Sequence, residues 1–414
     1  MRLFRFGLRL ARLSLRVAAL VGLAFVLSIP LTFLWLMVRY EDMKKRIPPA
    51  HEPVATEGRT MSEVFETLEK VPFEPTKPLM LGLARAGLNN SFLLLLNSMR
   101  ATSARAYPYP KEFEQIVFES LDGTPLVGAL GLHPDGPRPG LVLSHGFMGS
   151  KNDHYIIDMA LTAYAEWGFN VLAVDLRNFG KSQSLGHSPT TAGWKEAEDL
   201  LAAAKLLASL PGTTTVGLIG FSMGAGSVMN AAGMAAEHPY ITGGAVAVNG
   251  YADAKRMVDY ISTRPPLTDP FYGAHLSFRL MHKLRREDMK RYIEEPEWLD
   301  LISLPFSQAD FTDYVEMIAA PSYGVTAEEM YRKASPRESI AGVGVPLLVL
   351  HAMDDPVCPP SEMDELADLT DDNPNVKIWM MPVGSHCAFR YFDRDWFYTT
   401  MRGFFSYWAG WEAD

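Results

Sequence analysis

The chain has 414 residues, 48% of them hydrophobic and 21% charged, with a formal net charge of -10 at pH 7. That mix excludes a disordered chain and leaves room for one large domain with extensions. The charge is uneven: residues 1–50 carry nine Lys/Arg against Glu41 and Asp42 alone, while the remainder holds 29 basic and 46 acidic side chains. An acidic body repels polyanions, which excludes DNA and RNA as partners.

Residues 1–16 form a basic segment with Arg2, Arg5, Arg9, Arg12 and Arg16. The uncharged run 17–38 that follows is long enough for a transmembrane helix, which needs roughly 20 residues, and Pro30 inside it is tolerated in a membrane. The run ends in Trp35 and Arg39 rather than in small residues at a cleavage site, so the expectation is an uncleaved single-pass anchor. A mitochondrial-type presequence is the alternative, because no acid precedes Glu41. The arginines before the span favour a cytoplasmic N-terminus and a body on the outer, periplasmic or lumenal side; Arg39, Lys44, Lys45 and Arg46 beyond it argue the other way.

Residues 39–110 read as a partly helical connector. Its run "LMLGLARAGLNNSFLLLLNSMRA" is expected either to pack on the main domain or to lie on a membrane surface. From 111 to 250 short apolar strands alternate with helical stretches. "QIVFES" and "LVGALGLH" form an antiparallel pair turned at Asp122-Gly123. "GLVLSHG", "NVLAVD", "TTVGLIG" and "GAVAVNG" follow as strands, separated by helices at "DHYIIDMALTAYAEWG", "WKEAEDLLAAAKLLASL" and after Ser222. Residues 251–340 break the alternation with charged helical segments rich in Met and aromatics, a helical lid inserted between two strands. Its residues either line an acyl pocket or form the insertion's own core. Alternation resumes over 341–414 with "VPLLVLHA", "SEMDELADLT", "VKIWMMP" and an aromatic helix from Tyr391. The predicted class is α/β, a mostly parallel sheet flanked by helices.

Ligands of such sheets gather at the carboxyl ends of the strands, and four polar turns fall there: Ser144 to Phe147, Gly220 to Gly224, Asp354-Asp355 and Gly384-Ser385-His386. In Gly220-Phe221-Ser222-Met223-Gly224 the serine sits at a strand-to-helix corner, where a sharp turn between glycines exposes its hydroxyl. A serine hydroxyl needs a base to act as a nucleophile. His386, directly after a late strand, suits that proton transfer. His351 reads as a core histidine and His145 as a residue shaping its turn, while His133, His154 and His187 have no comparable setting. The acid that orients the imidazole is Asp355 or its neighbour Asp354; spacing from Ala352 and the following Pro356 favours Asp355. Backbone N–H groups of Phe147 and Met223 are placed to form an oxyanion hole.

With the oxyanion loop, Ser, Asp and His in that order, residues 114–408 resemble the α/β-hydrolase superfamily. "HGFMGSKNDHY", "GFSMGA", "YRKASPRESIAGVGVPLLVLHAMDDPVCP" and "PVGSHCAF" are similar to the branch of medium-chain acyl-ester hydrolases and membrane-anchored phospholipase-like relatives. The resemblance implies an α/β-hydrolase fold and ester hydrolysis through an acyl-enzyme, with Ser222 as nucleophile, Asp355 as acid and His386 as base. Ala225 and Asn178 stand where many relatives have glycine.

Cys358 and Cys387 flank the expected acid and base. They are either two small buried thiols or a disulfide bracing the two loops. With no His/Cys cluster at ligand spacing, neither a metal nor a cofactor is expected. The sequence thus reads as a membrane-anchored serine hydrolase of lipid or medium-chain acyl esters. An acyltransferase using the same acyl-enzyme and a non-catalytic hydrolase-fold binding protein are the alternatives.

Overall fold

The computed structural model describes residues 33–77, 81, 109–186, 188–263 and 311–411, with isolated positions between 16 and 31. Eight strands form one sheet: β1 Phe113–Glu119, β2 Pro125–Gly131, β3 Arg138–Ser144, β4 Asn170–Asp175, β5 Thr213–Phe221, β6 Ala245–Val248, β7 Leu347–Ala352 and β8 Val376–Met381. Their order across the sheet is β1-β2-β4-β3-β5-β6-β7-β8. β1 pairs antiparallel with β2, as the Asp122-Gly123 turn predicts, and β2 also pairs antiparallel with β4. The pairs from β4 through β8 are all parallel.

Every residue of β3, β4, β6 and β7 is buried. Parallel strands covered on both faces read as unbroken apolar runs, which these do. At the edge, β1 alternates between more and less exposed positions, the pattern of a half-covered strand. One face of the sheet carries α1 Met61–Leu68, α2 His154–Ala165 and α3 Arg394–Ala409, packed around Trp167, Trp396 and Phe405. The other carries α4 Trp194–Ser209, α5 Met223–Gly233 and α6 Glu362–Leu369, around Leu200, Val228 and Leu366. Gly168 at φ 74° turns the chain after α2. Asn178, at φ 63°, occupies a left-handed conformation that asparagine tolerates nearly as glycine does, which accounts for its standing at a glycine position.

Between β6 and β7 the chain forms α7 Ala254–Thr263, a bent helical stretch over 311–322 and α8 Ala327–Ala334. They pack around Tyr251, Val258, Tyr314, Ile318 and Met330 as a separate cluster over the carboxyl ends of the strands. Residues 264–310 of the expected 251–340 lid lie outside the described residues, as do 1–15, 82–108 and several positions within 17–38.

Residues 33–44 are helical, and Leu36, Tyr40 and Met43 on one face are buried against α2 and its neighbours. Leu34, Trp35 and Val38 on the opposite face remain exposed. The end of the apolar run and the residues after it therefore form a docked helix and not a free tether. Among the described residues no helix is long and apolar enough to cross a membrane.

Candidate active site

Strand order reverses between β3 and β5, since β3 connects outward to β4 while β5 continues toward β6. The crevice at such a reversal is where open α/β sheets bind ligands. Ser222 stands there, between β5 and α5, at φ 58° and ψ -121°. The flanking glycines are steric requirements. A Cβ on Gly220 would lie 2.1 Å from the Gly224 carbonyl oxygen, and one on Gly224 would lie 2.6 Å from both the His145 carbonyl oxygen and Ser144 Oγ. Only this bare turn lets the β3 loop approach the serine, and a Cβ on Gly146 would come 3.0 Å from Ser222 Cβ.

Ser222, His386 and Asp355 meet in space from three strand ends. Ser222 Oγ lies 2.8 Å from His386 Nε2, and His386 Nδ1 lies 3.1 and 3.0 Å from the two Asp355 oxygens. An ionised carboxylate only accepts, so Nδ1 carries the proton and the Nε2 lone pair faces the serine hydroxyl. Asp355 is fully enclosed, with side-chain exposure of 0%. Burial alone would raise its carboxyl, but the electrostatic interaction and hydrogen bond with His386, together with His351 and the Val357 N–H, hold it below the ordinary carboxylate value. Val357 N and Cys358 N donate to Oδ1 at 2.7 and 3.1 Å.

Asp354 has a different place. Its Oδ1 accepts the Gly384 and Ser385 N–H groups at 2.9 and 2.7 Å, which ties the acid loop to the histidine loop. Burial pushes its carboxyl up, against those two N–H groups. The histidine loop is itself bent, with Ser385 at φ 51° and Cys387 at φ 56°.

His145 is buried below the β3 loop. Leu176 N donates to its Nε2 at 3.2 Å, so Nδ1 bears the hydrogen and donates to the Gly146 carbonyl at 2.7 Å. Burial lowers its pKa and keeps the ring neutral. Because a trans peptide directs its C=O and N–H oppositely, fixing the Gly146 carbonyl also fixes the direction of the Phe147 N–H. Phe147 and Met223 line the same pocket as Ser222 and His386. Neither N–H has an acceptor among the described residues.

Several residues at the site carry no signal in the sequence reading. Asn249, after β6 at φ 53°, donates from Nδ2 to Asp355 Oδ2 at 2.5 Å and to the Ser385 carbonyl at 3.0 Å. The Asn-Gly pair closing "GAVAVNG" was its only mark. Tyr155 OH accepts the Gly146 N–H at 2.9 Å. His154, set aside from sequence, lines the pocket and meets Tyr391 OH through Nε2. His351 is fully buried in β7 with Nε2 3.9 Å from Asp355, as a core histidine would be. His187 lies outside the described residues.

Cys358 and Cys387 are free thiols, and Cys387 Sγ donates to the Val248 carbonyl at 3.4 Å. Burial, with Asp355 nearby, pushes both thiols well above their ordinary pKa. Among the described residues, one trio has ligand atoms within 4.8 Å of one another: Asp355, Cys358 and His386. In that trio Asp355 already accepts from four donors, the His386, Asn249, Val357 and Cys358 nitrogens.

The pocket at Ser222 has a volume of about 200 Å³. One wall is apolar, built from Met257, Val258, Ile261, Phe311, Tyr314 and Val315 of the insertion; the other carries Tyr155, His154, Arg390 and Tyr391.

The profile of the alpha/beta hydrolase family matches residues 141–398. A monoacylglycerol lipase of Saccharomyces cerevisiae is 23% identical over 257 residues, 62% of this chain and 56% of that protein. Phospholipase ABHD3 of Mus musculus is 26% identical over 257 residues, 61% of this chain and 58% of that protein. The chain therefore spans under two thirds of the length of either relative. The solved structure of an esterase from Pyrococcus furiosus superposes with a TM-score of 0.48 at 21% identity, over 72% of this chain and 93% of that one. With more than half of its length matched by the family profile, the chain belongs to the α/β-hydrolase family.

Proposed function

We propose that the protein is a serine hydrolase that cleaves carboxylic esters of lipid or medium-chain acyl groups through an acyl-enzyme. The observation that carries this reading is the continuous relay from Ser222 Oγ to His386 Nε2 at 2.8 Å and from His386 Nδ1 to Asp355. In this reading His386 takes the hydroxyl proton as Ser222 Oγ attacks the ester carbonyl. The developing oxyanion is held by the N–H groups of Phe147 and Met223, each worth about 3 kcal/mol in the transition state. His386 then returns the proton to the departing alcohol, leaving the acyl group on Ser222 for water to release by the same steps in reverse roles. Asp355 stabilises the imidazolium and fixes its tautomer.

The apolar wall of the insertion supports an acyl chain as its occupant, and the names of the yeast and mouse relatives support lipid esters as the class. The uncharged run 17–38 supports anchoring of the catalytic body to a membrane, and the five arginines before it support an N-terminus on the cytoplasmic side. Labelling of the folded protein with a fluorophosphonate tests the chemistry: an adduct on Ser222, lost in Ser222→Ala, is expected. A folded protein that takes up no label contradicts the reading.

A further inference from the structure

Tyr155 is the second residue of α2, and its side chain stands between two parts of the site. The ring packs edge-on against Phe221, the residue before Ser222, with centroids 5.2 Å apart and planes at 77°. The hydroxyl oxygen accepts the Gly146 N–H at 2.9 Å. Gly146 in turn lies so close to the nucleophile that a Cβ on it would come 3.5 Å from Ser222 Oγ. Ring and hydroxyl are thus both fixed beside the serine.

A phenol hydroxyl has one hydrogen to donate besides the lone pairs that accept. The Gly146 contact uses a lone pair only. Among the described residues the hydrogen has no acceptor, although Tyr155 lines the pocket. Burial, with the Asp153 charge, pushes the phenol well above its ordinary pKa against the Gly146 N–H and Arg390. The hydrogen is therefore in place at any pH at which His386 can act as a base. Cys387 and Arg390, which follow His386 in the chain, are the electrostatic neighbours of Tyr155 and line the pocket with it. The other polar side chains of that wall are engaged with one another. His154 Nε2 meets Tyr391 OH, and the two Nη groups of Arg390 reach Asp158 at 3.1 Å and Tyr391 OH at 2.8 Å.

We propose that Tyr155 is a further catalytic residue, whose hydroxyl donates a hydrogen bond to the alcohol oxygen of the ester as that oxygen leaves the acyl carbon. The assignment rests on the hydrolase reading, in which His386 returns its proton to the departing alcohol and so sets the side on which it leaves. The bond between acyl carbon and alcohol oxygen breaks, its electron pair goes to that oxygen, and His386 supplies the proton. Tyr155 keeps its own hydrogen and stabilises the charge that builds on the oxygen before the proton arrives.

The test compares ethyl octanoate with p-nitrophenyl octanoate on the full-length protein and on Tyr155→Phe, which keeps the ring. Both esters give the same acyl-enzyme. Charge is concentrated on the oxygen of a departing ethoxide and spread into the ring of p-nitrophenolate, so a donor at that oxygen serves the ethyl ester more. We expect the ratio of kcat/KM for the p-nitrophenyl ester over the ethyl ester to rise about tenfold or more in Tyr155→Phe, the scale of one hydrogen bond to a charged group. A ratio taken on one preparation does not depend on how much of it is folded. The substitution also leaves the Gly146 N–H without its acceptor, but a disturbed oxyanion loop slows both esters alike, because both form the oxyanion. An unchanged ratio therefore overturns the assignment and leaves hydrolysis standing. A second measurement needs no variant: in a crystal structure of the wild-type protein with an ethyl octylphosphonate on Ser222, the Tyr155 oxygen is expected within about 3.2 Å of the ethoxy oxygen. An ethoxy oxygen out of its reach overturns the assignment. If neither ester is turned over and Ser222 takes no fluorophosphonate, the hydrolase reading fails and the assignment falls with it.

Discussion

Asn249 and Asp355 are joined by a hydrogen bond of 2.5 Å, and the same amide reaches the Ser385 carbonyl at 3.0 Å. One side chain from the end of β6 thereby ties the acid of the β7 loop to the residue just before His386. Its role is positional, because its amide is bonded to Asp355 and Ser385 and it is not among the residues that line the pocket.

Asn249→Gly keeps the left-handed backbone, which glycine adopts freely, and removes only the amide. We expect kcat to fall about tenfold or more with KM nearly unchanged, since a donor to a buried charge contributes roughly 1.5–3 kcal/mol. Asn249→Ala should lose further stability in a denaturant titration because of φ 53°. Equal kcat in Asn249→Gly and wild type would contradict the positioning role.

His145 holds the Gly146 carbonyl at 2.7 Å, and through it the Phe147 peptide. His145→Ala should slow fluorophosphonate labelling of Ser222 by about tenfold or more, up to the roughly 3 kcal/mol limit set by losing one oxyanion donor. Comparing labelling rates of folded wild type and variant checks this. An unchanged rate would mean that the Phe147 N–H is oriented without His145.

Ser222 occupies φ 58°, a conformation that costs a non-glycine residue about 1–3 kcal/mol and that persists only where structure around it compensates. Ser222→Gly should therefore be more stable than Ser222→Ala, read as a higher denaturant midpoint at unchanged slope. Both are expected to lose labelling altogether. A less stable glycine variant would show that this corner stores no strain.

Stability should rise with pH through the histidine range. Burial lowers the pKa values of His145 and His351, and burial followed by the Arg138 charge lowers that of His133 to about 4. Between about 4 and the ordinary value near 6.5 the unfolded chain therefore holds more protons than the folded one, so unfolding free energy increases with pH. The contribution is fully present above about pH 6.5 and is lost as pH falls toward 4. Urea midpoints at pH 5 and pH 7.5 test it, with the lower midpoint expected at pH 5. A flat or inverted dependence would contradict the neutral, buried state of these rings.

The strands were readable because their burial on both faces leaves an unbroken run such as "GLVLSHG" or "NVLAVD" in the chain. Ser222, Asp355 and His386 were readable as polar residues closing such runs, and the structure brings their side chains together. What stayed hidden depends on contacts across the chain. His154 pairs with Tyr391, 237 residues away, and Asp158 gathers Arg39, Arg390, Arg394 and Tyr398 from both ends of the sequence. No local pattern encodes those meetings, so Asn249, Tyr155 and Arg390 had no more standing in the sequence than any polar loop residue. The order of strands was hidden for the same reason: β3 and β4 are consecutive in the chain, yet β3 is the strand that lies beside β5.

The proposed chemistry rests on Ser222 as a nucleophile activated by His386. Its most direct test is fluorophosphonate labelling of the full-length protein, with the modified residue located by peptide mass mapping and the rate compared between wild type and folded His386→Ala. A single adduct on Ser222 is expected, absent in Ser222→Ala and formed at least a hundredfold more slowly without the imidazole. An adduct elsewhere, or a labelling rate indifferent to His386, would contradict it.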